Sequence, residues 1–167
     1  MAIILALAAA VPLAGCGSTL TQRQGLQPIR SDPAPRIDAK ALTGTTKVTN
    51  TSLQGRVVLI NFWASTCGPC RTEMPALSRF AHAHPDLRVV GVAVLDTTTA
   101  ARNFARKVGV DYELVNDPNG DNFARFGKFG ATGLPATFIL DTRGRVARHI
   151  FGAIDETDLA NLTTGVE

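Results

Sequence analysis

The stretch Val57-Val58-Leu59-Ile60-Asn61-Phe62-Trp63-Ala64-Ser65-Thr66-Cys67-Gly68-Pro69-Cys70-Arg71-Thr72-Glu73-Met74-Pro75 decides the fold. Val57 to Trp63 is apolar except at Asn61, and β-branched and aromatic residues dominate it. That pattern predicts a strand buried on both faces. Two cysteines at i and i+3 follow at once. Beyond them Cys70, Met74, Leu77 and Phe80/Ala81 recur at helical spacing, so a helix opens at the cysteines and ends near His84–Pro85. Pro75 lies inside it, has no N–H for the carbonyl of Arg71 and clashes there. Because the apolar spacing continues to Phe80, the reading is a kink rather than an end.

On the N-terminal side of this stretch, Arg36 to Val48 reads as a small hairpin turning at Thr43–Gly44, and Leu53–Gln54–Gly55 as a loop. Leu87 to Leu95 is a second buried strand. Asp96 is the expected N-cap of a helix marked by Ala101, Phe104 and Val108 and stopped at Gly109. Tyr112 to Val115 is a short strand and Asp121 to Phe126 a short helix. Ala136 to Leu140 and Arg145 to Phe151 are strands joined by Asp141–Thr142–Arg143–Gly144, and Asp155 to Leu162 is a closing helix. Alternating strands and helices argue a parallel core; the late hairpin adds antiparallel strands. No repeat is present.

Two thiols at i and i+3 on the first turn of a helix can meet and form a disulfide. Cys67 would sit at the helix entry, where unpaired N–H groups and the helix dipole favour a thiolate, the nucleophile of thiol–disulfide exchange. Cys70, one turn in, is shielded and resolves the mixed disulfide. Gly68 and Pro69 suit the tight entry, since Pro in the first turn loses no needed N–H. A zinc site would need two more ligands at matching spacing. There is no second C-x-x-C, and His82, His84 and His149 form no ligand pair near this one, so no metal is expected. Closing so short a loop gains little stability, which argues against a structural disulfide.

Asn61 to Pro75 resembles the active-site stretch of the thioredoxin superfamily. More narrowly it is similar to the TlpA/ResA-like branch of membrane-tethered thiol–disulfide oxidoreductases, with similarity over residues 36–162. The resemblance implies an α/β thioredoxin-like fold: a central mixed sheet flanked by helices, with an N-terminal β-hairpin extension. It implies a redox-active Cys67–Cys70 disulfide and no other cofactor. Gly133-Leu134-Pro135-Ala136-Thr137-Phe138 is similar to the superfamily's cis-proline loop, so Pro135 would be cis and Leu134 would touch substrate backbone. Gly68, Pro69 and Trp63 complete the expected substrate contacts, the alternative for Trp63 being a core residue. Glu73 recurs in the ResA-like group as a residue that tunes the thiols; the plain alternative is a solvated first-turn Glu. Thioredoxin itself has a buried Asp where this chain has Asn61, which cannot accept a proton. Glu73 is the only nearby acid to do so.

The resemblance also implies extracytoplasmic protein thiols or disulfides as substrates and a membrane protein that supplies or accepts electrons. Branch members often act as reductants, including of apocytochrome c before haem attachment; Dsb-type oxidants are the alternative. A peroxidase of the peroxiredoxin type would need Pro and Thr where Ile60 and Ala64 stand. A Sco-type copper chaperone would need a C-x-x-x-C.

The chain has 167 residues, 45% hydrophobic and 19% charged, with formal net charge +3. That is enough apolar content for one core. Arg143, Arg145 and Arg148 are spread along a strand and read as a solvated face rather than a nucleic-acid patch. Met1 to Ala14 is uncharged and apolar, too short to span a bilayer and the length of a signal-peptide core. The usual positive residues before it are missing: either the true start lies a few codons upstream or the signal is atypical. Leu13-Ala14-Gly15-Cys16 resembles a bacterial lipobox, which accounts for the odd third cysteine as a lipid anchor. The expected organisation is a signal peptide over 1–15, a flexible tether over 16–35 and a thioredoxin-like domain over 36–167.

Overall fold

All six residues of one strand, β4 (Val58–Trp63), are buried, because it has a strand on each edge and a packed layer on each face. The computed structural model describes residues 32–167. The expected signal peptide, Cys16 and the expected tether up to residue 31 lie outside the described residues. In chain order the elements are β1 (Asp32–Pro33), β2 (Asp38–Ala41), β3 (Lys47–Thr49), β4, α1 (Gly68–Ala83), β5 (Arg88–Val94), α2 (Thr98–Val108), β6 (Glu113–Asp117), α3 (Asp121–Phe126), β7 (Ala136–Leu140), β8 (Arg145–Phe151) and α4 (Glu156–Thr163). The eight strands form one sheet in the order β1-β8-β7-β4-β5-β6-β2-β3. β4, β5 and β6 run parallel, joined by helical crossovers; β7 and β8 are antiparallel to β4 and to each other.

β2 and β3 pair antiparallel with Ala39 opposite Val48, and β2 also pairs with β6. The paired stretch is shorter than the read hairpin because residues 42–45 bend between the strands. Three expectations change. Asp32 and Pro33, assigned to the tether, pair with Val146 and Arg145 of β8, so the fold begins before residue 36. Asp96 does not cap α2; Thr97 does, accepting the Ala100 N–H at 3.1 Å. Arg148 is more than a solvated charge: its guanidinium donates to the carbonyls of Asn161 and Leu162 in the last turn of α4.

The two faces of β4 enter different layers. Val58, Ile60 and Phe62 pack with Val90, Val92, Phe126 and Phe138. On the other face Leu59 packs with Leu77 and Phe80 of α1 and Leu159 of α4, while Trp63 packs with Cys70, Met74 and Phe104. α1 runs through Pro75 to Ala83 without ending there. It lies along the face that carries Leu59, Asn61 and Trp63, so the sheet's one buried amide side chain on β4 lies under the helix of the cysteines.

Gly91 is opposite Asn61 in β5, and the row has no space there. A Cβ would lie 2.6 Å from Leu114 Cδ2, 3.0 Å from Trp63 Nε1 and 3.0 Å from Tyr112 Cε2. Gly91→Ala should therefore destabilise the protein by about 1–3 kcal/mol, as overpacked cores do. Urea unfolding checks this, and an unchanged midpoint would show that Leu114 simply swings aside.

Candidate active site

The cysteines lie where the strand reading put them, at the carboxyl end of β4. Cys67 is the N-cap of α1, and its Sγ accepts the Cys70 N–H at 3.2 Å. Its own N–H donates to Ala64 O at 3.0 Å, closing a four-residue turn out of the strand. Pro69 occupies the first helical turn, where no N–H is missed. Cys67 and Cys70 form a disulfide, with Cα atoms 5.3 Å apart. Cys67 is half-buried and Cys70 wholly buried, so an incoming thiol can reach one sulfur and not the other. Gly68 and Pro69 are exposed beside it.

The Leu134–Pro135 peptide bond is cis. Leu134 is half-buried and packs against the cluster that holds Cys70, Trp63 and Cys67. The fold thus brings residues 67 and 134 to one surface. Trp63 is a correction: at 0% exposure it offers substrate no surface. It lies beneath the site, stacked on Phe104 with ring centroids 5.3 Å apart, and the Arg71 guanidinium lies 4.9 Å over that Phe104 ring. The sequence carried no sign of this Trp63–Phe104–Arg71 stack, because Phe104 reads simply as the apolar face of α2.

Glu73 is not a solvated first-turn acid. It is 1% exposed, facing the sheet. Asn61 Nδ2 donates to Glu73 Oε1 at 2.7 Å, and the Ile154 N–H donates to Oε2 at 3.2 Å. Asn61 Nδ2 also donates to Thr137 Oγ1 at 3.0 Å. Burial pushes Glu73 up to about 7, against the opposing pull of these two hydrogen bonds. Near neutral pH the carboxyl can therefore both take and give a proton. Tyr112, whose hydroxyl is buried, is pushed well up, first by burial and then by the charge of Glu73. The reach of this carboxyl's charge to Tyr112 was not legible either, since 39 residues and a crossover separate them. Among the described residues no cluster of His, Cys, Asp and Glu is placed to hold a metal.

A disulfide with one sulfur presented at a helix N-terminus and the other sealed under it is built for exchange rather than for support. On a mixed sheet, with Leu134 of the cis peptide packed against the same cluster, it places the chain among the thioredoxin-like thiol–disulfide oxidoreductases. Residues 31–149 match the AhpC/TSA family, and the chain belongs to that family. It is 32% identical over 124 residues to the thiol:disulfide interchange protein HelX of Rhodobacter capsulatus, covering 74% of this chain and 68% of that protein. It is 30% identical to the thiol-disulfide oxidoreductase ResA of Bacillus thuringiensis, covering 71% of this chain and 68% of that one. Among solved structures it is similar to a secreted thiol-disulfide isomerase from Corynebacterium glutamicum. There the TM-score is 0.70 at 26% identity, over 77% of this chain and 81% of that one.

The raised Glu73 has a consequence for stability. Between about pH 4.5 and 7 the folded protein holds a proton that the unfolded chain has released. The contribution is therefore present below the lower value and lost as pH rises through the upper one, on the order of 3 kcal/mol in all. His149, lowered by burial, titrates with the opposite sign, so the informative quantity is a difference. Relative to Glu73→Gln, the wild-type oxidised protein should lose about 2–3 kcal/mol between roughly pH 5 and pH 8 in urea unfolding. Parallel curves would remove this titration from Glu73.

Proposed function

We propose that this protein reduces disulfides of extracytoplasmic protein substrates, with Cys67 attacking and Cys70 resolving. The observation that carries the roles is the asymmetry of the pair: Cys67 reachable at the N-cap of α1, Cys70 buried one turn in. Gly68–Pro69 between the cysteines, as in the reducing thioredoxin, supports the direction. The Cys67 thiolate attacks one substrate sulfur. A mixed disulfide forms and the other substrate sulfur leaves as a thiolate. Cys70 then gives up its proton and attacks Cys67 Sγ, which closes the Cys67–Cys70 bond and releases the second substrate thiolate. The substrate gains two electrons and the protein loses two. Glu73, one turn beyond Cys70 and poised near neutrality, takes the Cys70 proton; Asn61 cannot and instead holds the carboxyl by hydrogen bonding. A membrane thiol-donor protein returns the pair to the dithiol.

Leu134, Gly68 and Pro69 are the residues beside Cys67 that a substrate backbone would meet. Apocytochrome c before haem attachment is one substrate of the kind the resemblance implies. Cys70→Ser should trap substrates on Cys67 as mixed disulfides recoverable from the cell envelope. If Cys67→Ser traps equally well, the roles are reversed. Direction is read from the potential. A reductant lies near thioredoxin, about −270 mV, and a value above about −150 mV would make the protein an oxidant.

Cys16 is the proposed lipid attachment point, holding the domain to the extracytoplasmic face of a membrane. Support comes from the apolar segment before it and its lipobox-like sequence. Among the described residues no helix is long and apolar enough to cross a membrane. Cys16→Ala, expressed from the full precursor in a bacterium, should move the protein from the membrane to the soluble fraction. Retention at the membrane would rule out the anchor.

A further inference from the structure

Released from capping α2, Asp96 spends its whole carboxylate on one residue. Its Oδ2 accepts the Ser65 N–H at 2.6 Å and its Oδ1 accepts the Ser65 hydroxyl at 2.8 Å. Ser65 is 31 residues earlier, inside the turn that the Cys67 N–H closes on Ala64 O. That turn carries the chain from the end of β4 to the N-cap of α1. Charge-assisted bonds of this kind are stronger than neutral ones, and two on one residue set its orientation as well as its place.

The backbone leading to Asp96 is unusual in the same place. Leu95 has φ 52°, the only positive φ at a non-glycine among the described residues. Leucine is disfavoured there because Cβ crowds the backbone. Its side chain is 72% exposed, so no burial of that side chain accounts for the conformation. The Leu95 N–H still donates to Asp117 O at 3.0 Å, keeping the sheet paired to that point. The chain then turns sharply, and the next residue faces Ser65. Such conformations persist where surrounding contacts over-determine them, and they cluster at functional sites.

We propose that Asp96 is a positioning residue for Cys67: its two-oxygen grip on Ser65 sets the turn that presents the sulfur at the helix N-terminus, and the Leu95 corner aims it. Asp96 acts through Ser65 and touches no reacting atom. The inference rests on Cys67 being the attacking thiol, which the trapping experiment tests separately.

The test uses the reduced full-length protein well below its melting temperature. It measures the rate at which Cys67 attacks 5,5′-dithiobis(2-nitrobenzoate) and the pH profile of Cys67 alkylation by iodoacetamide, read on the Cys67 peptide by mass spectrometry. Asp96→Ala should slow the attack roughly tenfold and displace the alkylation profile, as expected for loss of hydrogen bonds to a charged group. Asp96→Asn keeps an acceptor oxygen and should recover the rate to within about threefold of wild type. A lower melting temperature with wild-type rate and profile in Asp96→Ala would make Asp96 a fold contact only. An Asn variant as slow as the Ala variant would show that a retained acceptor does not hold the turn and would overturn positioning. Should Asp96→Ala fail to fold, Ser65→Ala removes one of the two donors and should slow the attack about threefold. A wild-type rate there would also overturn the proposal.

Discussion

The hydrogen bond from Asn61 to Glu73 is the contact on which the active site depends. A carboxyl that is 1% exposed is costly unless it is neutral or partnered, and here both conditions are approached together. Three separated segments are needed to satisfy it: Asn61 in β4, Glu73 in α1 and the Ile154 amide after β8. The sheet register then places Thr137 of β7 opposite Asn61, where it accepts the amide's other N–H. One polar row across an otherwise apolar face thus ties the central strand, the cysteine helix and the entry to α4 into a single geometry.

The same packing produces the difference between the two cysteines. They belong to one helix and lie one turn apart, so their local chemistry is alike. Cys70 faces the sheet and meets Trp63 and Met74, whereas Cys67 stays at the N-cap with its sulfur toward the helix N–H groups. Burial of one sulfur and presentation of the other follow from how α1 lies on β4. The stack of Trp63, Phe104 and Arg71 seals the underside and brings α2 into the structure of the site. At the rim, Asp96 does for the turn what Asn61 does for the carboxyl, supplying a partner from a distant segment.

Much of this architecture was legible in the sequence. The apolar run Val57 to Trp63, the spacing of Met74, Leu77 and Phe80, and the turn residues between β7 and β8 each report interactions within a few residues. Strand and helix periods are of that kind, and so is the preference for Cys67 at a helix entry with Pro69 inside it. The motif reading of Leu134–Pro135 reached the facing loop as well. Trp63 was misplaced as a substrate contact because an aromatic residue beside a redox pair reads the same whether it faces out or in. Asp96 was misplaced for a related reason: Asp before a helix satisfies the local capping rule, but Thr97 satisfies it too, and only a neighbour across the sheet decides between them.

Local pattern was enough for the order of the elements from β2 onward, the redox pair and which cysteine stands at the helix entry, since these rest on periodicity and backbone chemistry; the two-residue β1 is too short to carry a period. Tertiary structure alone decided that Glu73 is buried and raised, that Tyr112 stands near it and that Asp96 grips Ser65. Those interactions, hydrogen bonds and for Tyr112 the charge of Glu73, join residues 12, 31, 39 and 81 positions apart. Such pairs are set by strand order, register and crossover. Neither member of a pair carries a mark of its partner until the sheet brings the two together.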